Sequence, residues 1–82
     1  MRILAEQFFL KAIRDEITGL RTIADDRLIG AADAACDSLD RGDSNRAAYI
    51  VVAALLPELT ELEQPVGLTT YARSIICPEH AS

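Results

Sequence analysis

The chain has 82 residues, enough for one small hydrophobic core, since a second would need roughly 50 more residues. Half of the residues are apolar and 26% are charged, with four Gly and three Pro, a composition that excludes both a disordered chain and a collagen-like repeat. Eight Lys and Arg against thirteen Asp and Glu give a net charge of −5, which repels phosphate backbones and anionic lipid. Direct nucleic-acid binding and membrane binding are therefore not expected.

From the N-terminus, Ile3-Leu4 and Phe8-Phe9-Leu10 are interrupted by Glu6 and Gln7 and followed by Lys11, so no stretch there resembles a secretion signal. Phe9, Ile13, Ile17, Leu20 and Ala24 recur at steps of four, four, three and four. That spacing predicts a first helix over about 2–18, where Gly19 interrupts it, or on to 24. Leu28, Ala32, Ala35 and Leu39, with Ile29 and Cys36 alongside, predict a second helix over about 25–41. Gly42 supplies the left-handed residue that ends such a helix, and either Asp43 or Ser44 caps the next. Arg41-Gly42-Asp43 spells a cell-adhesion tripeptide, but turn chemistry accounts for all three residues.

A third helix is expected over about 44–63, because Ala48, Val51, Val52, Leu55, Leu59 and Leu62 hold one apolar face through Pro57. The proline predicts a kink near Ala53, or a break at Leu56 with a new helix from Pro57, and Pro65 and Gly67 end the element. The apolar run within it, Ala47 to Leu56, is ten residues long, about half a membrane span. Leu68, Tyr71, Ala72, Ile75 and Ile76 permit a short fourth helix over 68–76, closed by Cys77-Pro78 and followed by a tail, 77–82. The fold class is thus all-α: a small bundle built on an antiparallel hairpin of the second and third helices, with the N-terminal helix added.

The pattern carries more apolar surface than this arrangement hides. Tyr49, Ala53 and Leu56 form a second patch on the third helix, and Leu4 and Phe8 lie outside the buried arc of the first. Because an 82-residue chain gains little net free energy from its own burial, two copies are expected to pair through these surfaces, giving a homodimer.

No reaction centre is legible. Cys77-Pro78-Glu79-His80 has the spacing of half a zinc site, but the sequence offers no second half, and Cys36 falls on an apolar face where a free thiol behaves as a small hydrophobe. With only these two cysteines, no disulfide framework and a reduced, cytoplasmic setting are expected, and no metal or cofactor is assigned. Asp26, Asp33, Asp37 and Asp40 line one side of the second helix as an acidic strip, which reads as a solvated face or as the rim of a contact surface.

A short acidic chain with an alanine-rich hairpin and no reaction centre resembles, in style, the small accessory proteins of bacteria and their phages, which act by binding a host protein. The function expected from the residues is a non-enzymatic interaction module, an adaptor or inhibitor. Its anchors would be Leu4, Phe8, Tyr49, Ala53 and Leu56, and its rim the four aspartates. Three further readings remain open at this point. One is an oligomer holding a small phosphorylated ligand on Arg14, Arg21 or Arg46; another is an acidic mimic of nucleic acid; the third is a structural subunit of a larger bundle.

Overall fold

A computed structural model describes residues 2–80. It contains α1 (Arg2–Glu16), α2 (Asp25–Asp40), α3 (Asn45–Leu55) and α4 (Glu63–Tyr71), then a π-helical turn (Ala72–Ile76) and a 3-10 turn (Pro78–His80). No strand occurs among the described residues, so the fold is all-α, as the periodicity predicts. None of these helices is long and apolar enough to cross a membrane.

The first helix stops at Glu16, short of both expected ends. Gly19 takes φ +92°, a conformation that other residues adopt only with strain, and the chain turns there. Ile17, Leu20 and Ile23 remain buried although they lie beyond the helix, so the apolar pattern continues in a turn rather than on a helical face. Ala24, expected on that buried stripe, is exposed and instead starts α2. Arg14 ties the loop down by donating to the Ile23 carbonyl at 2.9 Å and pairing with Asp25 at 2.6 Å.

Helix α2 buries Leu28, Ala32, Ala35 and Cys36 and packs on α3. Between them Gly42 sits at φ +87°, and its amide donates to Leu39 O while that of Asp43 donates to Ser38 O. Sequence alone leaves the cap of α3 open between two residues. The Ser44 side chain takes that role, accepting from the Ala47 amide at 3.1 Å, while Asp43 accepts from the buried Ser38 hydroxyl at 2.9 Å. At the other end Arg27, in the first turn of α2, pairs with Glu58 just past α3 and donates to Leu55 O. Contacts at both ends fit the expected antiparallel hairpin.

Helix α3 takes the second of the two courses expected at Pro57, a break at Leu56 rather than a kinked continuous helix. It ends at Leu55; Leu56, at φ −123° and ψ 75°, leaves the helix and turns inward to 1% exposure. No helix begins at Pro57, and the next starts only at Glu63. Pro65 and Gly67, expected to terminate an element, lie inside α4. Pro65 is in the first turn, where its missing amide has no intrahelical acceptor to lose. Gly67 leaves room for Ile17, whose Cδ1 would stand 3.0 Å from an added Cβ. Gln64 joins this end of α4 to the end of α1 by donating to Thr18 O at 2.7 Å.

Beyond α4 the backbone widens into the π turn, with the Cys77 amide donating to Ala72 O at 2.9 Å. Cys77 is thereby set against Cys36 of α2, and the two form a disulfide, the reverse of the free thiols expected. The residues from 78 to 80, expected as tail, form the 3-10 turn; 81 and 82 lie outside the described residues.

The disulfide closes a loop of 41 residues in sequence separation, which by loop-closure entropy stabilises the fold by about 4 kcal/mol. That is a large share of the roughly 5–15 kcal/mol typical of a domain. Urea unfolding with and without reductant should show a lower midpoint for the reduced chain, and Cys36→Ser with Cys77→Ser should reproduce it without reductant. Coincident transitions would show that the cross-link adds nothing.

Candidate functional site

Two surfaces on the described residues gather groups that the core does not use. The first is the outward side of α1. Leu4 is 69% exposed and Phe8 68%, with Ile3 beside them at 68%, while Phe9 and Ile13 of the same helix are fully buried. One helix thus carries apolar residues both inward and outward. Immediately C-terminal to this ridge, Phe8, Lys11, Ala12 and Asp15 outline an open, mainly apolar depression of about 270 Å³. Lys11 and Asp15 pair across its edge at 3.0 Å, as residues four apart on a helix do.

The α3 part of the expected patch does not join it. Tyr49 and Ala53 are half-buried, and Leu56 is buried in the core, so Leu56 is corrected from a contact anchor to a core residue. The cause is the end of α3 at Leu55, after which the helical phase used to place Leu56 outside no longer applies. Leu55 and Leu62, expected on the inner stripe, are exposed at 48% and 67%.

The acidic strip divides. Asp26 and Asp37 are exposed, Asp33 pairs with Arg2 of α1, and Asp40 pairs with His80. The last contact marks the second surface. Asp40, the final residue of α2, Glu79 and His80 bring their ligand-type atoms within 4.8 Å of one another, and His80 Nε2 lies 2.5 Å from Asp40 Oδ1. Two restraints hold the group. The Cys36–Cys77 bond lies one turn before Asp40 on α2 and just ahead of Glu79, and Arg73 donates to His80 O from Nε at 3.0 Å and from a terminal nitrogen at 2.8 Å. The sequence shows half of this cluster in Cys77-Pro78-Glu79-His80; its other half is an aspartate forty residues away, brought near by the packing of the π turn on α2 and by the cross-link between them.

The arginines considered for a phosphorylated ligand do not converge. Arg14 and Arg21 line one cavity of about 420 Å³ with Thr18 and Thr22, but Arg14 is already engaged by Asp25 and Ile23 O. Arg46 stands on α3 and does not line it.

Against known families, the model described as "Protein of unknown function (DUF732)" matches residues 5–79, nearly the whole chain. The chain belongs to the DUF732 family. No curated protein and no solved structure matches it. The match runs from within α1 to Glu79 and so takes in the hairpin, the π turn and both cysteines of this DUF732 chain.

Perturbed ionisation in this DUF732 fold is found at the mouth of the hairpin. Glu58 is held below its ordinary value, first by the hydrogen bond from Arg27, and Arg27 is raised by the same bond. A carboxylate depressed in the folded state adds stability above its unfolded pKa and loses it as pH falls through the folded one. Glu58→Gln should accordingly be less stable than the parent chain at neutral pH, with the gap closing as pH drops through the carboxylate range. Urea midpoints at neutral and acid pH read this directly, and a pH-independent gap would sever it from the ion pair.

Proposed function

We propose that the chain is a small protein-interaction module whose contact surface is the outer face of α1, occupied by a second copy of itself. One observation carries this reading: Leu4 and Phe8, one turn apart, stand about two-thirds exposed on a helix whose opposite side, at Phe9 and Ile13, is fully buried. Exposed apolar residues scattered singly need no explanation, but two stacked one turn apart beside an apolar depression do.

Self-pairing is supported by shape. Leu4 lies one turn before Phe8 and Ala12 one turn after, so an antiparallel second α1 centred on Phe8 lays each Leu4 over the other copy's Ala12. That small side chain forms part of the depression beside Phe8. Large over small is how helices interlock, and the two-fold symmetry makes the surface complementary to itself. The ion pairs Arg2–Glu6 and Lys11–Asp15 are internal to each helix and leave little net charge along the seam. Phe8 is the natural anchor, because aromatic residues in the centre of a contact carry most of its energy.

The setting proposed for this module is an oxidising compartment rather than the cytoplasm that the cysteine count suggests, since a disulfide joining α2 to the C-terminal turn persists where thiols are not kept reduced.

Sedimentation equilibrium of the oxidised chain in the micromolar range should give a dimer. Phe8→Ala should shift it toward monomer by about ten-fold or more in dissociation constant, with an unchanged helical circular dichroism spectrum, because Phe8 is outside the core. Leu4→Ala should act in the same direction, whereas Tyr49→Ala should not. A chain that stays monomeric at high micromolar concentration, or a dimer indifferent to Phe8, would overturn the assignment.

A further inference from the structure

We infer that Asp40, Glu79 and His80 form a binding site for a divalent transition-metal ion of the zinc type. Their ligand atoms lie within 4.8 Å of one another, and none of the three residues belongs to α1. The inference is independent of the self-pairing reading.

The donor set is chemically specific. An imidazole nitrogen with two carboxylates suits zinc and its neighbours in the first transition row, while calcium and magnesium take oxygen ligands and leave imidazole aside. Three protein ligands with the remaining position open to water is the arrangement of an accessible rather than a sealed zinc site. Asp40 and Glu79 are exposed and His80 is partly covered, so an ion can enter from solvent.

Electrostatics favour a cation at this point. Asp40 is the last residue of α2, where the helix presents the negative end of its dipole and a carboxylate is disfavoured. Glu79 adds a second negative charge, while the His80 imidazole is paired with Asp40. An ion with bonds of about 2.0–2.2 Å holds its ligand atoms roughly 3–4 Å apart. Asp40 and His80, now 2.5 Å apart, would part slightly, and the exposed Glu79 side chain would swing in. The backbone needs no rearrangement. The disulfide fixes α2 against the C-terminal turn, and Arg73 holds the His80 carbonyl, so two of the three ligands are already in register.

The coupling to the cross-link gives the site a second property. Asp40 and His80 are forty residues apart, and the covalent connection near them is Cys36–Cys77. Reducing that bond releases the segment carrying Glu79 and His80 and should weaken binding.

Calorimetric titration of zinc chloride into the oxidised full chain tests the site. One equivalent should bind saturably, and an excess of magnesium or calcium should not compete. His80→Ala and Asp40→Asn should each weaken binding by ten-fold or more. Glu79→Gln, an exposed change with no core contact, should weaken it in the same direction while leaving the thermal transition of the metal-free chain in place. Reduction should lower affinity in the parent chain. The absence of saturable one-to-one binding, equal affinity in the His80→Ala chain, or equal competition by magnesium would overturn the assignment.

Discussion

One covalent bond organises this molecule. The hairpin of α2 and α3 has its own turn, its own cap and an ion pair at its open end, all supplied by residues near one another in sequence or directly across the pair. The C-terminal third has no such local closure. It packs on α3 through α4 and is locked to α2 by Cys77, which the π turn sets against Cys36. The π turn belongs to that bond: the wider winding sets the half-cystine where it is needed at the end of α4, and irregular helical turns of this kind recur where a side chain has to be re-aimed.

The helices were legible in sequence to the extent that their determinants are local. Gly42 and Ser44 mark the α2–α3 turn because a left-handed residue followed by a hydroxyl has one common use. The four-residue spacing of Phe9, Ile13 and Ile17 finds the buried side of α1 for the same reason. Beyond Leu55 the break at Leu56 and the helical stretch over 68–76 closed by Cys77-Pro78 were legible, but what lies between was misplaced, because periodicity does not know where a helix stops. Leu59 and Leu62 fall in phase with Val52 and Leu55, yet they lie after the helix has ended, and one is buried while the other is exposed. Pro65 and Gly67 were read as stop signals, although a proline in a first turn and a glycine under a packed isoleucine are both compatible with α4.

The two candidate surfaces differ in the same respect. Leu4 and Phe8 could be placed outside from the angular spacing of one helix, and there the structure puts them. Leu56 required the end of α3 and was misjudged, while Tyr49 and Ala53, within α3, are half-buried. The cluster at His80 depends on a pairing of two cysteines that composition argued against, so its aspartate read as one more member of a solvated strip. A long-range covalent contact is invisible to any argument built on spacing alone. It changes which polar residues are neighbours.

The way α1 is seated has a consequence for how the protein is made. The largest share of this helix's packing is against the π turn, far along the chain, with smaller shares against α4 and α2. During synthesis this helix is made well before the π turn that gives it its largest support. Phe9 and Ile13 therefore lack that cover until the π turn has been made, and the nascent chain carries an oily helix that must be kept from straying in the interval.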